Sequence, residues 1–597
     1  MKRSFVVGLV ILAACGFASR LAAAEKPNVV LIVLDDYGWK DSSCYGSTYY
    51  KTPHIDRLAK DGVRFTDFYA ACPVCSPTRA STLTGKYPQR FGITDWLPGR
   101  GDNPAQRLKR PELPTGLPLE AVTLAENLKA AGYVTGHIGK WHLGGETMSP
   151  LEQGFDVNIA GDHTGTPLSY FAPFKNKMRS MPGLETAPEG EYLTDRLAAE
   201  AEKFIVANKD KPFFLYLPHY AVHTPLKAKA DVIAKYKEGR PGTQGNPVYA
   251  AMVESADDAV GRVLNALDDA KLAEKTLVIF TSDNGGLATQ EGPGTPATIN
   301  APLREGKGHL YEGGVRIPFI VRGPGVTKPA VTSTVGCSID IAPTVLDLCG
   351  VTPTEKYDGV SLKPVLGGGP LDRPAVYWHY PHYANQGSRP SGAVRAGEWK
   401  LIEFYESNRR ELFNVKADIS ESRNLAADKP EVVKELAGKL AAWRSNVGAK
   451  MPLPNPAYKP GPQAADGTIT LLSKFADVHG SQLRFEPLPH KNTLGFWSKL
   501  EDFATYDFTV DKPGAFKVEV LQGCGKGSGG SEVEVSVDDS KFTFIVKDTG
   551  GFQMFEAREI GMLTVDKPGR HVLTVKPLKK PGAAVMDLRQ VVLKPVK

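Results

Sequence analysis

Cys75-Ser76-Pro77-Thr78-Arg79-Ala80-Ser81-Thr82-Leu83-Thr84-Gly85 couples a side chain able to act as a nucleophile to the start of a helix. Ser76 reads as the N-cap and Pro77 as the first helical residue. Cys75 then stands just before a helix N-terminus, where free N–H groups and the dipole favour an anion. Arg79, one turn in, can reach back to the same spot. A nucleophile position beside a fixed guanidinium points to chemistry on an anionic group. Two other readings stay open. Cys72-Pro73-Val74-Cys75 is a C-x-x-C, which in an exported chain can be a redox pair, and Cys75 can be a buried structural thiol.

Outward from this stretch the chain alternates buried strands with polar ends. Asn28-Val29-Val30-Leu31-Ile32-Val33-Leu34 is a continuous apolar run, read as a strand covered on both faces in a parallel sheet, and it ends in Asp35-Asp36. Tyr133 to Gly139 is a shorter strand candidate followed by Lys140, Trp141 and His142. Phe213-Phe214-Leu215-Tyr216-Leu217 leads to His219 and then His223-Thr224-Pro225. After an amphipathic helix over 250–270, Thr276-Leu277-Val278-Ile279-Phe280 repeats the buried pattern and ends in Thr281-Ser282-Asp283-Asn284-Gly285-Gly286. Open α/β sheets gather ligand groups at the carboxyl ends of such strands. Paired oxygen donors there suit a hard divalent cation. Taken singly, Asp-Asp is also a solvated turn and Asn-Gly a common one.

In order and spacing these segments resemble the type I sulfatases. Cys75 to Arg79 matches the family's C-x-[PA]-[ST]-R signature, and Leu83-Thr84-Gly85 its usual continuation. Gly139-Lys140-Trp141-His142-Leu143-Gly144 matches G-K-W-H-L-G, and Lys307 with Glu312-Gly313-Gly314-Val315-Arg316-Ile317-Pro318 matches K-x-x-x-x-E-G-G-x-R-x-P. The resemblance covers roughly 28–443 and lies toward the arylsulfatase and N-acetylhexosamine-sulfatase branch. It implies an α/β fold of the alkaline-phosphatase type: a large, mostly parallel sheet flanked by helices, with a small antiparallel subdomain at about 375–450. It further implies that a maturation enzyme oxidises Cys75 to Cα-formylglycine (3-oxoalanine). Asp35, Asp36, Asp283, Asn284 and the modified Cys75 would bind Ca²⁺, or Mg²⁺ in its place. In the implied mechanism the hydrated aldehyde, held by the metal and Arg79, attacks sulfur while Lys140 and Lys307 hold the sulfuryl oxygens. His223 protonates the departing alcohol, and His142 removes a proton as sulfate is expelled. Glu312 and Arg316 are expected to form a structural pair, and His219 to be structural.

Tyr377-Trp378-His379-Tyr380-Pro381-His382-Tyr383 could present His379 and His382 to a sugar, or be core with polar tips. Residues 451–467, rich in Pro, Ala and Gly, read as a linker. Beyond them, over 468–597, short alternating runs predict an appended all-β sandwich similar to carbohydrate-binding modules; an inert stabilising or oligomerising domain is equally open. At the other end Lys2 and Arg3 precede an apolar run and Ala22-Ala23-Ala24, an export signal over 1–24 for a periplasmic or secreted protein. Leu12-Ala13-Ala14-Cys15 also resembles a lipobox, the alternative being a lipoprotein anchored at Cys15. The 597 residues need more than one domain. A net charge of +6 without a dense basic run does not indicate nucleic acid, and no other stretch has the apolar length of a membrane span. The expected substrate is a sulfate ester on a polysaccharide or its oligosaccharides. The alternatives are a phosphatase or phosphonate monoester hydrolase of the same superfamily, and a non-catalytic binder of anionic glycans.

Overall fold

The structure is a computed structural model that describes residues 26–596 except 241, 481 and 487–489. The export signal and Cys15 lie outside the described residues. Among the described residues no helix is long and apolar enough to cross a membrane.

The Asn28–Leu34 strand is buried at all seven positions. Successive strand residues point to opposite faces. Accordingly Val29, Leu31 and Val33 enter one apolar core and Val30, Ile32 and Leu34 the other. Thr276–Ser282 divides in the same way, with Leu277 and Ile279 on one side and Val278 and Phe280 on the other. These strands sit in the middle of a nine-stranded sheet, in the spatial order Gly336–Cys337, Val63–Tyr69, Arg316–Arg322, Thr276–Ser282, Asn28–Leu34, Phe213–Pro218, Val134–Ile138, Val157–Ile159, with Ala330–Thr332 also paired to Val63–Tyr69. Pairing is parallel except on both sides of Arg316–Arg322. Four neighbouring parallel strands, those beginning at Thr276, Asn28, Phe213 and Val134, therefore bring their carboxyl ends to one edge. The helix Pro247–Asp269, capped by Asn246, packs its buried face on this sheet.

A four-stranded antiparallel sheet (Val376–Tyr380, Ser391–Ala396, Trp399–Phe404, Arg410–Asn414) follows, covered by the helix Pro430–Asn446. The C-terminal part is two all-antiparallel sheets around one core. Phe503–Val510 and Glu532–Val537 alternate buried and half-exposed residues along their whole length. The expectation of an α/β domain, a small antiparallel subdomain and an appended all-β domain matches this architecture.

The segment read as a linker is held rather than free. Leu453–Pro454 pairs with Leu108–Lys109, and Asn455 N–H and Lys459 N–H donate to Arg107 and Pro104 carbonyls at 2.9 and 2.6 Å. Proline-rich composition removed the usual strand signal here without removing the hydrogen bonds.

Candidate active site

The signature helix spans Cys75–Thr84 and is buried throughout. It starts two residues earlier than the reading of Ser76 as N-cap and Pro77 as first helical residue. Val74, in extended conformation, occupies the cap position, and Ser76 Oγ instead accepts from Leu97 N–H at 3.1 Å. Pro77 is tolerated because first-turn N–H groups lack helical partners anyway. The result places Cys75 itself at the helix N-terminus, with Sγ 3.6 Å from Asp35 Oδ1.

The four strand ends converge on this thiol. Asp35, Asp36, Cys75 and His223 each contribute a potential ligand atom, all within 4.8 Å of one another. Asp283 Oδ1 accepts from Asp36 N–H at 3.2 Å, and Asn284 Nδ2 donates to Asp36 Oδ1 at 2.8 Å. Three cations face the three carboxylates. Arg79 donates from Nε and Nη2 to Asp283 at 3.0 and 2.7 Å, and from Nη1 to the Lys140 carbonyl. Lys140 donates to Asp35 at 2.6 Å and Lys307 to Asp36 at 2.8 Å. A buried carboxylate trio is tolerable only with such pairing.

Burial and neighbours displace the titrations. Burial pushes Asp283 up to about 6, with Asp35 adding to it. Burial also works to raise Asp36, but Lys307 and His223 outweigh it and hold that carboxyl well below the usual range. Burial pushes the Cys75 thiol up to about 12 despite Lys140 and Lys307. At neutral pH only about one thiol in 10⁵ is then ionised, so the unmodified side chain is a poor nucleophile. The same burial disfavours the redox reading. All six described cysteines are free thiols, and Cys72, also raised by burial, turns its Sγ toward the Thr94 carbonyl.

The histidines have defined tautomers. His142 donates from Nε2 to the Leu97 carbonyl at 2.7 Å, which leaves Nδ1 without a partner. Burial and Lys140 hold its pKa well below the ordinary value, so Nδ1 offers a lone pair. His223 donates from Nδ1 to the Thr224 carbonyl at 2.7 Å and turns Nε2 toward Lys307 Nζ, 3.1 Å away. Burial and Lys307 lower it to about 3. Asp36 and His142 both hold left-handed backbone, φ 58° and 56°. Such conformations in non-glycine residues are uncommon and gather at functional sites.

The donor set fits a hard cation. Asn284 spends its amide N–H groups on Asp36 and the Gly285 carbonyl, and its buried Oδ1 has no hydrogen-bond partner. An orphaned amide oxygen beside Asp35, Asp36 and Asp283 is an oxygen-ligand arrangement.

Twelve site residues were expected from the sequence. Ten meet here: Asp35, Asp36, Cys75, Arg79, Lys140, His142, His223, Asp283, Asn284 and Lys307. His379 and His382 do not. Both are 1% exposed. His379 pairs with the Tyr405 hydroxyl and the Lys450 carbonyl, and His382 with the Thr94 hydroxyl at 2.8 Å. They are core with polar tips: His379 lies in the Val376–Tyr380 strand, which is covered on both faces, and His382 lies just beyond that strand, packed against Thr94. His382 braces the loop that carries Trp96, Leu97 and Arg100. Glu312 and Arg316 form the structural pair expected, at 2.6 Å. Sequence reasoning missed the half-exposed rim. Trp96 lies 6.5 Å, ring to ring, from His142, Arg100 lies over Trp96, and Glu291 feels the charges of Lys307 and Arg100. These residues sit on loops without periodicity, where the only signal was a lone aromatic next to charge.

Residues 27–351 match the Sulfatase family, 306–446 the C-terminal region of N-sulphoglucosamine sulphohydrolase, and 486–597 a domain of unknown function, DUF5077. Human arylsulfatase A is 34% identical over 450 residues, covering 70% of this chain and 83% of its own. Human N-acetylgalactosamine-6-sulfatase is 36% identical over 383 residues, covering 60% and 69%. The crystal structure of Ps i-CgsB in complex with k-i-k-neocarrahexaose superposes with a TM-score of 0.60 at 32% identity, covering 70% of this chain and 92% of that one. The chain belongs to the sulfatase family, within the alkaline phosphatase superfamily, and is a sulfuric ester hydrolase.

Proposed function

We propose that this protein is an exported sulfatase that removes sulfate esters from sulfated polysaccharides or their oligosaccharides. It would work through formylglycine made from Cys75 and one divalent cation, Ca²⁺ or Mg²⁺. The observation that carries the reading is the convergence of Cys75, three carboxylates, Asn284 Oδ1 and two lysines at one sheet edge. Sulfated-carbohydrate action is supported by the neocarrahexaose bound in the Ps i-CgsB structure. Export rests on the N-terminal sequence.

Asp35, Asp36, Asp283 and Asn284 would hold the cation, which supplies positive charge against the sulfuryl oxygens and the nucleophile. Formylglycine supplies a hydrated aldehyde as nucleophile where a thiol of pKa about 12 supplies almost none. Lys140 and Lys307 each spend a charge on a carboxylate. With those carboxylates committed to a cation, both ammonium groups are available to a sulfuryl group. Arg79 fixes Asp283 and the Lys140 backbone, so it orients ligand and lysine together. His223 Nε2 lies beside Lys307 and Asp36, placed to carry the proton to the leaving oxygen. An anionic ester offsets the Lys307 charge that depresses it. His142 Nδ1, unpaired and neutral, is the base.

The test is mass spectrometry of the tryptic peptide from Phe65 to Arg79, made in a host that matures sulfatases, alongside assays with an aryl sulfate and an aryl phosphate. Aldehyde or hydrate mass at position 75 with preference for sulfate is the expected result. An intact thiol in a host that converts a control sulfatase, or preference for phosphate, would overturn it.

A further inference from the structure

A cleft of about 520 Å³ lies between the 103–107 segment, the small antiparallel subdomain and the C-terminal sheets. Its walls include Asn103, Arg107, Asn385, Arg389, Lys474 and Phe475. Its size falls within the roughly 300–1,000 Å³ of small-ligand pockets, which favour domain junctions, and is too small for a folded partner. The walls are braced. Arg107 pairs with Asp477 and Asp507 at 2.6 and 2.7 Å, and Arg389 with Glu406 and Asp477 at 3.0 and 2.5 Å. Those guanidinium charges are spent. Lys474 makes no ion pair among the described residues, and its ammonium lies 4.9 Å from the centre of the Phe475 ring. That ring is 55% exposed although it is a large apolar side chain.

The cleft adjoins the catalytic site through one residue. Asn385 Oδ1 accepts from Arg100 Nε at 2.8 Å, Arg100 lies over Trp96, and Trp96 faces His142. The next residue, Gln386, donates to Glu291 on the Lys307 side of the rim. A chain whose sulfated residue sits at Lys307 therefore has a polar path along Arg100 and Asn385 into the cleft. A half-exposed aromatic ring with an ammonium over it, that ammonium having no acidic partner among the described residues, set among paired charges and neutral hydrogen-bonding groups, matches a pyranose that carries an anionic substituent.

We propose that this cleft is a distal subsite for sulfated oligosaccharides, with Phe475 as the stacking platform and Lys474 as the anion contact, so that the C-terminal domain is part of the substrate surface. The proposal rests on the sulfatase reading for the chemistry and goes beyond it in assigning chain recognition to the C-terminal domain.

The test uses the full mature chain and the variants Lys474→Ala, Phe475→Ala and their double. Affinity electrophoresis through κ-carrageenan and through chondroitin sulfate reads binding, and 4-nitrophenyl sulfate turnover reads the catalytic site. The expected result is retardation of the native chain by at least one polymer. The double variant should lose at least about tenfold in apparent affinity and keep its 4-nitrophenyl sulfate turnover, and Lys474→Arg should retain binding. Migration of the double variant like the native chain, or no retardation of the native chain by either polymer, overturns the subsite. A native chain with confirmed aldehyde at position 75 but no aryl sulfate turnover would count against the catalytic reading instead, and the retardation would still decide the cleft.

Discussion

Lys307 is the most exposed cation of the catalytic cluster, bonded at once to Asp36 and beside His223 Nε2. Its removal takes a positive charge from the place where sulfuryl charge develops. A single such contact is worth about 10²–10³ in turnover. Lys307→Ala is expected to lower kcat/KM for an aryl sulfate by that order, and Lys307→Arg to rescue little, because a planar fork cannot occupy a point-charge position. Steady-state kinetics on the two variants check this, and unchanged kcat/KM in Lys307→Ala would remove the residue from the sulfate site. At this scale the oxygen donors were legible because each ends a buried apolar run. Lys140 and Lys307 were legible only through the family motifs, since a lone lysine has no local pattern. His379 and His382 misled because an aromatic–histidine run reads alike on a surface and in a doubly covered strand.

Elements hold these residues through close backbone approaches. A Cβ at Gly165 would lie 2.5 Å from His142 Cε1, while a Cβ at Gly145 meets nothing within 4 Å. Gly165→Ala is expected to displace the His142 ring and cut kcat by tenfold or more with cooperative unfolding retained, and Gly145→Ala to leave kcat unchanged. Kinetics and thermal melts on the pair decide it. Buried strands and their order of appearance were readable from the sequence, whereas the helix start was off by two because Ser-Pro is also a good interior first turn. A second element-scale test concerns the Glu312–Val315 turn. Burial works to raise Glu312, but Arg316, Lys400 and Arg395 outweigh it and hold it far below 4.5. A depressed carboxyl stabilises the fold above its unfolded value and loses that contribution as pH falls through the folded one. Stability is therefore expected to decline from about pH 4.5 downward, with a shallower acid slope in Glu312→Gln. Urea midpoints between pH 6 and 3 measure it, and parallel slopes would contradict the assignment.

Across the whole molecule, the catalytic part and the C-terminal sheets are joined by charges far apart in sequence. Nothing local distinguishes Arg107, Arg389, Asp477 and Asp507 from ordinary surface residues, so the alternating strands announced the domain while its docking stayed hidden. Arg107 also bonds Tyr458 in the strap that crosses between the two parts. Removing it alone leaves Asp477 with Arg389 and Asp507 with Arg570, so the cost should be near the low end for half-buried pairs, about 1 kcal/mol. Removing Arg107 and Arg389 together strips Asp477 of both cations, and a largely buried carboxylate left without a partner costs more, about 1–3 kcal/mol. Arg107→Ala/Arg389→Ala is accordingly expected to free the C-terminal domain. Its melt should split into two transitions, and chymotrypsin should cut within 451–467, after the Tyr458 that Arg107 no longer holds, while the catalytic part keeps turning over aryl sulfate. A single transition at the native temperature, with 451–467 still protected, would mean that the strap and apolar contacts dock the domain without the arginines. The distal cleft would then stand on packing that charge removal does not reach.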